Sequence, residues 1–121
     1  MALKKTVRGK QRLSNKSILS KNNLPNNELK IQDALNKYHN YLEVEKNYSV
    51  YTVQNYFKDI NEFKKFIDEE KYGDLLKIKT ENIARYYISN LVTKGYSRKS
   101  IARKISSLRA FYRYLTIEQF I

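Results

Sequence analysis

The sequence contains no cysteine and no tryptophan, and only one histidine and one proline among its 121 residues. Without cysteine the chain offers no disulfide framework, no thiolate metal site and no thiol nucleophile. This composition fits a reducing compartment, so we expect a cytoplasmic protein. We predict neither a metal nor a cofactor.

Long apolar runs are also missing. The basic N-terminus lacks the stretch of roughly 7 to 15 apolar residues that a signal peptide needs. No segment approaches the roughly 18 apolar residues of a membrane span. We therefore expect a soluble protein without a membrane partner. The chain has the length of about one domain, and its 41% hydrophobic content suffices for one small core rather than a multidomain enzyme.

Acidic residues are scarce at both ends of the chain, which has a formal net charge of +12. Residues 1–27 hold seven Lys and Arg and no acid, and they contain too few large apolar side chains to offset the entropy of ordering. We predict a disordered basic arm over 1–27, which either follows a DNA backbone or is a leader sequence. Residues 28–121 are the predicted folded domain.

Helical periodicity begins at Glu28. Apolar residues at three- and four-residue steps predict four amphipathic helices, over about 28–46, 50–70, 80–93 and 97–115. Ser49, Thr80 and Ser97 are predicted N-caps, and Gly95 suits the left-handed position after the third helix. Without any strand pattern, the sequence predicts an all-α fold, a small four-helix bundle.

The fourth predicted helix carries six cations and no acid between residues 97 and 115. A helix that is charged for solubility normally mixes both signs, and like charges four residues apart repel each other. The one-signed charge therefore indicates a polyanionic ligand. Small side chains, such as Ser106 and Ala110, would let the backbone approach a DNA groove. On a helical wheel the predicted inner face consists of Ile101, Ile105, Leu108, Phe111, Tyr112 and Leu115.

Two segments resemble the core-binding, SAM-like domain of tyrosine recombinases and phage integrases of the Xer type. The first segment is residues 41–67, and the second, "TKGYSRKSIARKISSLRAFYRYL", is residues 93–115. The positions that carry the first resemblance are Tyr48, Ser49, Thr52, Tyr56, Asp59, Phe63 and Phe66.

The resemblance implies an orthogonal bundle that packs on one side of duplex DNA, with its second and fourth helices toward the major groove. The implied function is sequence-directed DNA binding in site-specific recombination and integration. The implied partners are double-stranded DNA and other recombinase protomers in a synaptic assembly, and we expect the isolated domain to be monomeric. The DNA-facing residues carried over by position or by charge are Ser49, Thr52, Asn55, Ser97, Arg98, Lys99, Ser100, Arg103, Lys104, Ser107, Arg109 and Arg113.

The family's catalytic groups are not recognisable in this chain. In the family, a tyrosine nucleophile is assisted by arginine, lysine and histidine or tryptophan residues of a separate C-terminal domain. Here His39 has no arginine three positions later, and Tyr38, Tyr56 and Tyr112 fall on apolar stripes that predict packing roles. We predict no catalytic residue and no DNA cleavage by this chain.

Two other functions stay open at the level of sequence. Tyrosine-rich surfaces are common at interfaces, so the domain could dock to a protein or to itself. A standalone helix-turn-helix regulator is the other alternative, because "TKGYS" is compatible with the short turn of that motif.

Overall fold

The computed structural model of the protein describes residues 26–78 and 80–121, and in these residues it shows four α-helices and no strand. The predicted all-α, four-helix fold is confirmed. The elements in chain order are α1 (Asn26–Asn40), a π-helical turn (Tyr41–Glu45), α2 (Val50–Glu69), α3 (Thr80–Thr93) and α4 (Arg98–Ile117).

The chain divides into two units, Met1–Gln32 and Asp33–Ile121. In the first unit the structure describes residues 26–32, which are the first turns of α1. The predicted basic arm over 1–27 lies outside the described residues except for its last two, which are helical. The second unit contains the remainder of α1 and the other three helices.

The first helix ends differently from the simple periodic prediction. Its last turn is π-helical, because the amide of Lys46 donates to the carbonyl of Tyr41, five residues earlier, at 3.0 Å. Asn47 then adopts a left-handed conformation with φ of +54°, which stops the helix. Within this turn Leu42 is buried, so the wider turn keeps an apolar residue in the core.

Serine caps the starts of α2 and α4 and glycine ends α3, as predicted, whereas Thr80, predicted as the cap of α3, is its first residue. Ser49 and Ser97 both have extended backbones immediately before α2 and α4, and each accepts a hydrogen bond from an amide of the first turn. Gly95 follows α3 with φ of +90°, and the next amide, that of Tyr96, donates to the carbonyl of Leu91 at 3.1 Å. This pattern closes a helix through a left-handed glycine.

The core of the second unit is rich in aromatic side chains. α2 packs against α4, and α3 also packs against α4. Ile60 and Phe63 of α2, Tyr87 of α3 and Phe111 of α4 are buried at this junction. The rings of Phe63 and Tyr87 meet edge-on with their centroids 5.0 Å apart, which is a favourable geometry for an aromatic pair.

The segment between α2 and α3 contributes to the core although its sequence predicts only a loop. Leu75 and Leu76 are buried there, and Asp74 Oδ1 accepts from the amide of Leu76 at 2.9 Å. The carbonyl of Leu75 accepts from the hydroxyl of Tyr112 at 2.6 Å. This contact ties the loop to α4.

None of the helices within residues 26–78 and 80–121 combines the length and the apolar character needed to cross a bilayer.

Replacing Tyr112 by Phe should lower the free energy of unfolding by about 1 kcal/mol, because the carbonyl of Leu75 loses its hydrogen-bond donor. The matched variant Tyr87→Phe removes a buried hydroxyl that has no hydrogen-bond partner among the described residues, so its stability should be unchanged or higher. Urea denaturation of both variants measures the difference. Equal losses in the two variants would contradict this account of the two hydroxyls.

Candidate nucleic-acid interface

The solvent side of α4 carries four exposed cations, Arg98, Lys99, Arg109 and Arg113, which we call the basic face. At 100° per residue these positions span an arc of about 100° on the helical wheel, opposite the buried Phe111. From its first to its last residue the basic face extends about 22 Å along the helix. All four cations face the same side of α4, with two at each end of this length.

Small side chains lie within the same arc as the basic face. Ala102 and Ser106 are both exposed and project between the four cations on the wheel. With no bulky side chain at these positions, the backbone of α4 can approach a partner closely while the longer cations reach around it. This arrangement suits a groove with negatively charged edges.

The charge of the basic face is not compensated inside the described part of the chain. No carboxylate there lies within ion-pair distance of its four side chains. Arg98 and Lys99 occupy the first turn of α4, where the helix macrodipole also places partial positive charge. Cations at that end weaken the helix, so an anionic ligand would relieve an unfavourable arrangement.

The two helices α2 and α4 begin with the same hydroxyl pair. Ser49 Oγ accepts from the amide of Thr52 at 3.1 Å and donates to its hydroxyl at 3.0 Å. Ser97 Oγ accepts from the amide of Ser100 at 3.2 Å and donates to its hydroxyl at 3.1 Å. Ser49 and Ser97 are exposed, Thr52 and Ser100 are half-buried, and Asn55 lies half-buried one turn further along α2. Capping accounts for both serines, and it leaves the first two amides of each helix without an intrahelical acceptor, as in anion sites at helix N-termini.

A buried group of charged and polar side chains joins α2 to α4. Asp59 is fully buried, and its Oδ2 accepts from Arg103 Nη1 at 2.7 Å and from Ser107 Oγ at 2.8 Å. Its Oδ1 lies 3.4 Å from the ammonium of Lys104, which also pairs with Glu62. We call these five residues the Asp59 cluster. With two acids and two bases, the cluster is formally neutral.

The structure revises the predicted site at two positions. The sequence predicts Lys104 and Ser107 at a DNA-facing surface, but their exposures are only 2% and 5%, and both contact Asp59. Ile101 and Ile105, predicted at the inner face, are half-buried instead. The reason is electrostatic, because a buried carboxylate on α2 draws the polar residues of α4 inward.

Arg103 is partly exposed and partly engaged with the buried Asp59. Its side chain is 48% exposed, while one of its nitrogens bonds to the fully buried carboxylate of Asp59. It therefore belongs to the Asp59 cluster and also lies next to the basic face. The other predicted residues on α4 are placed at the surface: Ser97, Arg98, Lys99, Arg109 and Arg113 are exposed, and Ser100 is half-buried.

The two capped helix ends do not lie side by side. Tyr48, just before α2, lines a cleft with Arg113 and Tyr114 near the end of α4. Glu69, at the end of α2, lines another cleft with Tyr96, just before α4. The start of α2 therefore lies near the end of α4.

Tyrosine hydroxyls in the core are poorly suited to nucleophilic chemistry. Burial raises the pKa of Tyr38, Tyr87 and Tyr112, and the nearby carboxylate of Glu62 raises the pKa of Tyr87 further. At neutral pH these side chains are uncharged phenols. His39 Nδ1 lies 3.2 Å from Glu43 Oε1 in an exposed pair. In the described ranges, no group of three or more His, Asp or Glu side chains is arranged to hold a metal ion.

Residues 35–119 match the family described as phage integrase, N-terminal SAM-like domain. This chain belongs to that family. The resemblance predicted from the sequence is confirmed. No solved structure matches the SAM-like chain at a significant level.

The chain is also similar to bacterial proteins named tyrosine recombinase XerC. It is 40% identical to the XerC of Anoxybacillus flavithermus over 88 residues, which are 73% of this chain and 29% of that protein. It is 42% identical to the Listeria welshimeri protein over 82 residues, 68% of this chain and 27% of that protein. With the Bacillus subtilis protein it shares 38% identity over 81 residues, 67% of this chain and 26% of that protein. The chain spans less than a third of the length of these relatives.

Sequence reasoning named Asp59 as part of the family pattern but missed its role in this SAM-like domain. The available signal was its place on α2, where an acid sits one residue before the buried Ile60 and four before the buried Phe63. A charged residue on an apolar stripe needs a buried partner. Which partner it takes depends on the packing of α2 against α4, and periodicity does not contain that information.

Replacing Lys104 by Ala should destabilise the domain by about 3 kcal/mol, because Asp59 and Glu62 lose a buried cation. The matched variant Lys99→Ala removes an exposed lysine from the same helix, and its free energy of unfolding should be unchanged or slightly higher, because a cation leaves the first turn. Chemical denaturation followed by circular dichroism measures both. If the Lys104→Ala variant were as stable as the Lys99→Ala variant, the Asp59 cluster would have no structural importance.

Proposed function

We propose that this domain binds duplex DNA as the core-binding part of a site-specific tyrosine recombinase, and that it supplies binding rather than cleavage. The observation that carries the proposal is the uncompensated basic face on α4, in a chain of the integrase SAM-like family. The names of the XerC relatives agree with this function.

Duplex DNA fits the basic face better than a compact anion does. The strip of cations extends about 22 Å, and DNA presents a negative charge about every 1.7 Å along its axis. An α-helix is about as wide as the major groove, and Ala102 and Ser106 leave the middle of the face free of bulk. A small anion would use only one end of such a strip.

The proposed contacts are the predicted residues that reach the surface. Cations of α4 would bind phosphates, and the hydroxyl and amide groups at the start of α2 and α4 would bind phosphates or base edges. Lys104 and Ser107 are left out, because their polar atoms are engaged with Asp59. The proposed set is Ser49, Thr52, Asn55, Ser97, Arg98, Lys99, Ser100, Arg103, Arg109 and Arg113.

Strand cleavage, in this proposal, is the task of residues outside 28–121. The buried tyrosines Tyr38, Tyr87 and Tyr112 stay protonated at neutral pH, which supports their role as packing groups. We propose that the domain is monomeric alone, works in the cytoplasm, and meets other recombinase protomers on the DNA. The XerC relatives are recombinases by name, which supports a role in recombination.

Binding to duplex DNA should weaken steeply with salt. If the four cations of the basic face each neutralise one phosphate, they alone should contribute about −3.6 to the slope of log K against log salt. Lys99→Ala should reduce that slope by about 0.9, whereas Lys65→Ala, an exposed lysine of α2 outside the proposed contacts, should not change it. Fluorescence anisotropy with a labelled duplex between about 50 and 300 mM salt measures the slope. Affinity that does not respond to salt would refute the proposal.

We further propose that the basic segment 1–27 adds phosphate contacts to those of the folded domain. In the full chain, replacing its seven Lys and Arg by Gln should lower both the affinity for DNA and the salt slope. Circular dichroism should show the same helix content as before. An unchanged slope would remove this segment from the interface and favour the leader interpretation.

A further inference from the structure

Arg103 is bonded to a buried carboxylate, and about half of its side chain is exposed to solvent. Its partner Asp59 has no exposed surface, whereas 48% of the Arg103 side chain is exposed. The bond between Arg103 Nη1 and Asp59 Oδ2 is 2.7 Å long, as expected for a charge-assisted hydrogen bond. No other arginine of α4 has a carboxylate partner among the described residues.

Other side chains hold the carboxylate of Asp59 in place. Asp59 Oδ2 also accepts from Ser107 Oγ at 2.8 Å, and Oδ1 lies 3.4 Å from the ammonium of Lys104. Lys104 is in turn fixed by Glu62 and by the ring of Tyr96, whose centroid is 4.9 Å away. The carboxylate therefore has little freedom to move with Arg103.

A guanidinium group is a planar fork with five N–H donors, and a bond to a fixed carboxylate restricts the positions and orientations that the plane can adopt. The bond to Asp59 uses only Nη1, and 48% of the side chain is exposed, so other donors remain for a ligand. Arg103 lies one turn after Lys99, at the border of the basic face. An oriented fork at that position matches the geometry of a phosphate, which accepts two parallel N–H bonds.

We propose that Asp59 is a positioning residue that orients the Arg103 guanidinium for contact with a DNA phosphate. This inference rests on the proposed function, and it assigns Arg103 a role different from that of the basic face. The basic face supplies charge, whereas Arg103, whose charge is balanced by Asp59, supplies directed hydrogen bonds. Lys104 and Ser107 support the proposed contact between Arg103 and a phosphate indirectly, because both are hydrogen-bonded to Asp59.

Three roles of Asp59 predict different results in a double-mutant cycle of Asp59→Asn and Arg103→Ala. If Asp59 acts through Arg103, Asp59→Asn weakens DNA binding only while Arg103 is present. If Asp59 only stabilises the fold, the loss is the same in both backgrounds. If Asp59 only cancels positive charge, its removal strengthens binding in both.

The experiment is anisotropy titration of the full chain with a labelled duplex of about 30 base pairs of mixed sequence, at low salt. We expect Asp59→Asn to lower the affinity about tenfold with Arg103 present and less than about twofold in the Arg103→Ala background. Equal losses or a gain in affinity would overturn the inference. Binding by the unmodified chain is measured first. If it shows no salt-sensitive binding, the proposed function fails, and this inference fails with it.

A second pair of variants keeps the inference testable if Asp59→Asn unfolds the chain. Arg103→Lys keeps the charge but loses the planar fork, so we expect it to bind about fivefold more weakly. The matched control Arg85→Lys changes an exposed arginine of α3 that lies outside the proposed contacts and has no carboxylate partner among the described residues, and its affinity should stay within about twofold. Thermal melting shows whether both variants remain folded. If Arg103→Lys binds as well as Arg85→Lys, orientation by Asp59 is not needed.

Discussion

The buried carboxylate of Asp59 determines how α2 and α4 fit together. A carboxylate without exposed surface is costly unless it is paired and hydrogen-bonded, and here it receives donors from Arg103, Lys104 and Ser107 of one helix. These three contacts fix the rotation of α4 about its own axis. Once Lys104 and Ser107 face inward, the remaining cations of the helix must face outward.

This rotation divides the cations of α4 into a group that pairs with α2 and a group that faces solvent. Two cations are neutralised by Asp59 and Glu62 and hold the helices together, while the basic face stays uncompensated. Like charges on one helix repel each other, and those in the first turn also oppose the macrodipole. A partner with many negative charges would relieve this repulsion when it binds. The basic face is therefore explained by binding and not by the stability of the free domain.

Much of the fold could be predicted from local sequence, because its causes are local. Ser49 and Ser97 cap the helices that follow them, and Gly95 ends α3, as each residue's own chemistry dictates. The π-helical turn at the end of the first helix was not predictable in the same way, since periodicity does not distinguish it from an ordinary last turn. The buried Leu75 in a loop was missed for a related reason, because it meets residues far along the chain, such as Tyr112.

The sequence by itself determined the four helices, the capped starts of α2 and α4, the end of α3, the family and the excess of positive charge on α4. These properties follow from residue spacing, from capping chemistry and from composition, all of which act within a few residues. Only the tertiary structure decided which cations of α4 are free. In the sequence, Lys99, Arg103 and Lys104 are equivalent basic residues. In the fold, Asp59 pairs with Arg103 and Lys104, which lie more than forty positions away, and it does not pair with Lys99. The pairing of a buried charge with residues on another helix leaves no pattern in the nearby sequence. It becomes visible only in the packing of α2 against α4.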